Sequence, residues 1–206
     1  MAYDLNGTTQ YLSTASSPVT GSPITIAAWM YPRSFANSVP VAVGVNAGTD
    51  RHTFLIGATG VFGCTALPSG NNASSGTLTA NTWWHGCGVW ASNTSRTAYL
   101  NGVAGSTATN AYTGAGGWNT ITVGGRWATT FGGYFNGIIA EVGIWNAALT
   151  AAEIASLADG MTCDKVRPQS LVFYAPLCRD LIDVKGGLTI TNNNTATVAN
   201  HPRVYA

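Results

Sequence analysis

Apolar residues recur at every second position along most of this chain, not at every third or fourth. Ile24-Thr-Ile-Ala-Ala-Trp-Met-Tyr31, Val41-Ala-Val-Gly-Val45, His52-Thr-Phe-Leu-Ile56 and Val61-Phe-Gly-Cys64 carry this period. So do Trp83 to Trp90, Arg96-Thr-Ala-Tyr-Leu100, Thr120-Ile-Thr-Val123 and Tyr134 to Trp145. Successive side chains of a strand point to opposite faces, so a period of two gives each segment one face for a core and one face away from it. The segments are short, rich in β-branched and aromatic residues, and separated by Gly, Asn, Ser and Pro. Asn101-Gly102 follows Tyr99-Leu100 and predicts a two-residue hairpin, because both residues tolerate positive φ. The pattern predicts a single all-β domain over 1–206, a two-sheet antiparallel β-sandwich of jelly-roll type. No fixed-period repeat is present, which argues against a propeller or solenoid.

One segment departs from the period. Thr150-Ala-Ala-Glu153 reads as a capping box, with Leu149 and Ile154 placed for a hydrophobic staple. Gly160 supplies a left-handed stop. These residues predict one short helix near 150–159.

Composition narrows the function. Of 206 residues only 8% are charged and the net charge is +1, against about 25% charged in an average soluble domain. That gives no electrostatic hold on a phosphate backbone, so nucleic acid is not an expected partner. Seven Trp, eight Tyr and six Phe exclude disorder, and no apolar run reaches the roughly 20 residues of a membrane span. The charge is unevenly spread. Residues 1–160 hold nine charged side chains and residues 161–206 hold eight, including both lysines. The tail carries strand-like runs of its own, Leu171-Val-Phe-Tyr-Ala175 and Leu188-Thr-Ile190, so it is expected to fold onto the main sandwich of 1–160. Met1-Ala-Tyr-Asp-Leu-Asn-Gly7 has neither a basic nor an apolar signal region, which predicts synthesis in a cytoplasm; a signal already removed is the rival explanation.

Cys64 and Cys87 lie in apolar strand segments and are expected as buried free thiols. For Cys163 and Cys178, bridged and free states are both compatible with the sequence. No Cys pair or His spacing resembles a metal site, and no metal or cofactor is assigned.

Several pieces in order resemble the laminin G-like family of concanavalin A-like jelly rolls. They are Leu5-Asn-Gly7 with Tyr11-Leu-Ser13, Thr25-Ile-Ala-Ala-Trp-Met-Tyr-Pro32, Asn81-Thr-Trp-Trp-His85 and Ala98-Tyr-Leu-Asn-Gly-Val103. The last is Phe135 to Asn146 running into Ala148-Leu-Thr-Ala-Ala-Glu-Ile154. In the tail, Leu171-Val-Phe-Tyr-Ala-Pro-Leu177, Asp183-Val-Lys-Gly-Gly187 and Leu188-Thr-Ile190 look like a segment that in family members precedes the first strand. The resemblance therefore implies a circularly permuted chain whose tail strands close the sheets beside the N-terminal strand.

The residues offer little to catalysis. A glycosidase needs two carboxyl groups across a cleft, and there are only two Glu. Glu153 belongs to the capping box, and Glu141 lies in a strand that matches a structural segment of the family. Nucleophile elbows and phosphate loops are absent, so the expectation is a protein without enzymatic activity. For calcium, Asn46-Ala-Gly-Thr-Asp50 supplies one carboxylate and reads better as an Asp-stabilised turn. His85 matches a structural position of the family. Trp29, Trp90 and Trp145 are expected in the core, and one ring of Trp83-Trp84 on each face. Trp118-Asn119 and Arg126-Trp127, in Gly-rich loops around Thr120 to Val123, are the candidate ligand-binding residues, because sugar recognition uses exposed aromatic faces flanked by amides.

The function expected is that of a structural or binding protein of a bacteriophage virion surface, a capsid decoration or fibre-associated module. Its partners would be capsid or tail proteins, with host-surface glycans as candidate ligands. The pattern ending in His201-Pro-Arg203 resembles small phage proteins of this family. The competing reading is an extracellular bacterial carbohydrate-binding module. No heptad or interface stripe specifies an oligomer, and a homo-oligomer stays open.

Overall fold

The computed structural model describes residues 1–68, 72–178 and 180–205. The strands are β1 (Ala2–Asn6), β2 (Tyr11–Thr14), β3 (Ile24–Pro32), β4 (Val41–Gly44), β5 (Arg51–Ile56), β6 (Val61–Leu67), β7 (Ala73–Thr77), β8 (Trp84–Ser92), β9 (Ser95–Leu100) and β10 (Val103–Ala108). They continue as β11 (Thr120–Val123), β12 (Arg126–Trp127), β13 (Phe131–Gly132), β14 (Asn136–Trp145), β15 (Leu171–Ala175), β16 (Ile190–Asn193) and β17 (Thr197–Ala199), with α1 (Ala151–Ala158) after β14. The first sheet runs β10-β9-β8-β3-β14-β1-β17, with β15 also on β14. The second runs β16-β2-β11-β4-β5-β6-β7, and β12-β13 form a separate hairpin. The ladders of both sheets are antiparallel throughout. This is the two-sheet jelly-roll sandwich with one short helix that the alternation predicts.

The period of two explains which side chains meet between the sheets. Ile24, Ile26, Ala28 and Met30 of β3 face Val41 and Val43 of β4, Phe54 and Ile56 of β5, Phe62 and Cys64 of β6, and Ile121 and Val123 of β11 in one core. Burying each Val, Ile or Phe stabilises by roughly 1.5–3 kcal/mol. Trp90 and Trp145 are buried as expected, at 1% and 0% exposure. Trp29 is not: it lies out of phase with Ile26, Ala28 and Met30, so it is half-buried on the outer face with its edge against His85 (5.4 Å between centroids).

A second core closes the outer face of the first sheet. Ile154 and Leu157 of α1, with Leu149, Cys163, Val166 and Leu171, pack on Ala27, Cys87, Val89, Trp145 and Tyr174. The capping box forms, with the Thr150 amide donating to Glu153 Oε2 at 2.7 Å and the Glu153 amide to Thr150 Oγ1 at 3.4 Å. Arg167 clamps the same carboxylate from the tail (Nη2–Oε2 2.6 Å), a contact no local motif reveals. Asn101 and Gly102 take φ of 47° and 79° and join β9 to β10 as the hairpin requires.

The tail strands lie along the N-terminal part of the sandwich. β15 pairs with β14, β16 with β2 and β17 with β1. At the junction β14 bulges, and Glu141 adopts φ +53° between the Ala140 and Gly143 register pairs. Its buried carboxylate accepts from the Tyr174 hydroxyl at 2.5 Å and pairs with His201 at 3.0 Å. All four cysteines are free. Cys163 is buried with its thiol on the Glu141 carbonyl at 3.6 Å, whereas Cys178 is exposed, so the two are not bridged.

Candidate functional site

With the first sheet covered by α1, the open broad face is the outer side of the second sheet. Its composition follows from strand parity. Val41, Val43, Phe54, Ile56, Ile121 and Val123 point inward, so the residues between them point away. Register aligns Thr65, Thr53, Ala42, Thr122, Ser13 and Thr191 in one row across β6, β5, β4, β11, β2 and β16. At about 4.8 Å between strands, five intervals make this row about 24 Å long. Thr53, Ala42, Thr122 and Thr65 are 1–5% exposed although they point away from the core. The middle of this face is therefore closed over by the protein itself: the Thr122 hydroxyl, for example, donates to Gly125 O at 2.7 Å.

The β12-β13 hairpin and β2 carry an aromatic cluster at the border of this face. Tyr11 stacks on Phe131 (3.7 Å, 24°), Trp127 meets Phe131 edge-on (5.2 Å), and Tyr134 leans on Phe131 (5.3 Å). All four rings are partly exposed and belong to neither core. Gly125 admits the Phe131 ring, since a Cβ there would come within 2.5 Å of it. Arg126 precedes Trp127 on this hairpin. On the next row Arg51 pairs with Gly44 and Leu67; an added Cβ on Gly44 would lie 2.5 Å from that of Arg51. At the Leu55–Gly63 end a cavity of about 190 Å³ is lined by Asn37, Asn72 and Ser74.

The expected ligand residues divide. Arg126 and Trp127 lie on this hairpin. Trp118 does not offer a face: it is 3% exposed, and its indole N–H donates to Asp50 Oδ1 at 2.9 Å. The reason is Asp50, which also accepts from the Gly116 amide (3.0 Å) and the Tyr112 hydroxyl, pinning residues 112–118 over the sandwich end. Tyr112, Trp118 and Trp90 then enclose His52. Asn119 is exposed, and its Oδ1 accepts from the Asn46 amide at 2.8 Å. The calcium-like segment 46–50 thus spends its carboxylate on neutral donors. Arg51, Tyr11, Phe131 and Tyr134 were not singled out from sequence, although parity with His52 and Leu12 already places Arg51 and Tyr11 outward.

Two other places hold titratable groups. Glu141, Cys178 and His201 bring ligand atoms within 4.8 Å of one another. His201, however, has an acceptor at each ring nitrogen: Pro202 O at 2.8 Å from Nδ1, and Glu141 Oε1 at 3.0 Å and Pro176 O at 3.3 Å from Nε2. Burial opposes its charge, but the hydrogen bonds to Glu141 and Pro202 outweigh this and raise its pKa. With both ring nitrogens engaged by protein oxygens, His201 ties the tail to β14, and the cluster reads as a clamp between the two. A cavity of about 570 Å³ lies beside α1 and is lined by Ser156, Asp159, Met161, Lys165 and Tyr205.

Comparisons with known proteins agree with this architecture. No curated protein matches the sequence. Among solved structures, a heptameric SAP-like pentraxin from Limulus polyphemus superposes with a TM-score of 0.67 at 15% identity, covering 93% of this chain and 94% of that one. The CBM40 of Ruminococcus gnavus IT-sialidase, solved with α2,3-sialyllactose, gives 0.61 at 14% identity over 76% and 96%. Domain 4 of the Geobacillus stearothermophilus arabinanase AbnA, solved with arabinotriose, gives 0.59 at 19% identity over 76% of each chain. The laminin G-like model of the concanavalin A-like lectin/glucanases superfamily matches residues 6–155, and the chain belongs to that superfamily.

Proposed function

We propose that this protein is a non-enzymatic carbohydrate-binding module that holds a glycan on the aromatic cluster of the β12-β13 hairpin and β2. The observation that carries the reading is the cluster of Tyr11, Trp127, Phe131 and Tyr134, four partly exposed rings outside both cores. A sugar ring presents an apolar C–H face, which a half-exposed aromatic ring matches. The glycan complexes of the CBM40 and of AbnA domain 4 support the reading at the level of fold. Neither Glu is free for acid–base work: Glu153 is held by Thr150 and Arg167, and Glu141 by Tyr174 and His201.

A glycan microarray tests this with the wild type and Trp127→Ala. Binding to at least one glycan, lost in the variant, is the expected result. Retention of wild-type binding by Trp127→Ala would exclude the aromatic cluster as the site. The setting we propose is a virion surface, supported by the nearly uncharged composition of residues 1–160 and the resemblance to small phage proteins. Mass spectrometry of purified particles should then find this chain, and its absence would overturn that setting.

A further inference from the structure

Three segments far apart in sequence meet beside the bulge of β14. Glu141 comes from the bulge itself, Cys178 lies just after β15, and His201 lies in the tail after β17. A carboxylate oxygen, a thiol sulfur and an imidazole nitrogen of these residues lie within 4.8 Å of one another. They are the donor types from which Zn²⁺ sites are built. Among the described residues no other group of three or more His, Cys, Asp or Glu gathers in this way.

The neighbours of each donor leave a suitable atom for an ion. His201 Nδ1 lies 2.8 Å from Pro202 O. A carbonyl only accepts, so Nδ1 carries a proton, and Nε2 is the nitrogen with which the neutral ring coordinates. Ligating histidines commonly donate their other N–H to a carbonyl in this manner. The Tyr174 hydroxyl donates to Glu141 Oε2 at 2.5 Å, which leaves Oε1, 3.0 Å from His201 Nε2. Two such ligands on one tetrahedral Zn²⁺ sit about 3.3 Å apart, so this pair is already near that spacing. Pro176 O lies 3.3 Å from the same nitrogen and is a further oxygen within reach. The third donor belongs to an exposed residue, Cys178, whereas Cys64, Cys87 and Cys163 are buried. Glu141 reaches this point because the bulge holds it at φ +53°, and bulges re-aim side chains.

We infer that Glu141 Oε1, Cys178 Sγ and His201 Nε2 form a binding site for Zn²⁺, with a fourth position for water. Without the ion, a proton on Nε2 bridges to Glu141. The ion takes the place of that proton and of the Cys178 thiol proton, and both protons leave to solvent. One Zn²⁺ with one carboxylate and one thiolate has no net charge, as the proton-bridged pair has none, so no buried charge is left unbalanced. Coordinate bonds from β14, the end of β15 and the tail then replace the hydrogen-bonded clamp. The ion fastens the segment that supplies β16 to one sheet and β17 to the other, and its binding energy adds to the stability of the fold. Ca²⁺ and Mg²⁺ prefer all-oxygen ligands and do not suit a thiolate and an imidazole.

Calorimetric titration of the untagged full chain with Zn²⁺, its thiols kept reduced by a phosphine, tests this. One ion per chain should bind, with no competition from equal Ca²⁺ or Mg²⁺, and the melting temperature should rise with Zn²⁺ concentration. Co²⁺ should bind with the charge-transfer absorption of a cobalt–thiolate bond. Cys178→Ser changes an exposed residue; it should lose that absorption and bind Zn²⁺ about ten-fold or more weakly, as should His201→Gln. Tyr174→Phe leaves all three donors in place, so it should keep the absorption while weakening binding by about 10–100-fold. Absence of Zn²⁺ binding, equal binding by the wild type and Cys178→Ser, or binding only by joining two chains would overturn the site. Displacement of Zn²⁺ by equal Ca²⁺ would overturn the choice of ion.

Discussion

His52 and His85 should make this protein acid-labile well before its carboxylates titrate. Both imidazoles are 1–2% exposed. His52 lies among Trp90, Tyr112 and Trp118, and His85 lies against Trp29. Burial disfavours their charged forms and lowers each pKa from 6.5 to about 3. For His52 a hydrogen bond to Arg51's backbone and the charge of Asp50 pull upward and Arg96 pulls downward, without reversing the outcome. The sign follows from linkage. Below pH 6.5 the unfolded chain binds protons that the folded chain refuses, so stability falls as pH falls until about pH 3. Between pH 7 and pH 5 this amounts to about 2 kcal/mol per histidine, or about 4 kcal/mol together, a large share of the 5–15 kcal/mol typical of a domain. His201 acts in the opposite sense: its raised pKa contributes fully below 6.5 and is lost as pH rises through the folded value, so it flattens the upper part of the fall. The assay is urea unfolding followed by Trp fluorescence at pH 7, 6 and 5, for the wild type and His52→Gln/His85→Gln. The His201 contribution cancels in the difference, and the double variant should be flatter by about 4 kcal/mol whatever its absolute stability. A wild type equally stable at pH 5 and 7, or a double variant with the wild-type slope, would refute the reasoning.

Removing residues 165–206 should give insoluble protein, because it strips β15, β16 and β17 from β14, β2 and β1 and exposes sheet edges; a soluble 1–164 fragment that unfolds cooperatively would contradict this. Trp118→Ala should cost about 3–5 kcal/mol as a core deletion, whereas Trp127→Ala should cost about 1 kcal/mol or less; similar losses in chemical denaturation would show that the two rings are not divided between core and surface. Gly102→Ala should cost about 1–2 kcal/mol, because it forces a side chain to φ +79°, with its methyl 3.2 Å from Ala155; an unchanged urea midpoint would count against the turn.

The sandwich was legible because its core is made of strand residues whose phase is fixed locally. Ile24, Ile26, Ala28 and Met30 alternate regardless of what they pack against, and the capping box from Thr150 to Glu153 satisfies itself within four residues. The same phase could have corrected Trp29, which falls between core positions of β3. The ligand residues were harder, because exposure in a loop is not a local property. Trp118 and Trp127 both sit in Gly-rich loops with a polar neighbour. What separates them is Asp50, 68 positions upstream of Trp118, whose carboxylate draws the indole N–H inward. The Glu141 clamp is similarly invisible, since His201 and Tyr174 reach it from chain segments 60 and 33 residues away.

Periodicity assigns each strand residue to one of two faces, but it cannot say which sheet keeps its outer face free. That is decided by where α1 lands. Ile154 and Leu157 cover Ala27, Cys87 and Val89 of the first sheet, so the outward residues there become a second core. The outward residues of the second sheet, Thr53, Ala42, Thr122 and Ser13, stay polar or small with Arg51 beside them. An apolar stripe such as Ile154 and Leu157 would there meet hydroxyls and the already buried Arg51 in place of apolar partners. The apolar outer face of the first sheet and the apolar stripe of α1 therefore select each other, and the polar outer face of the second sheet is left without a helix.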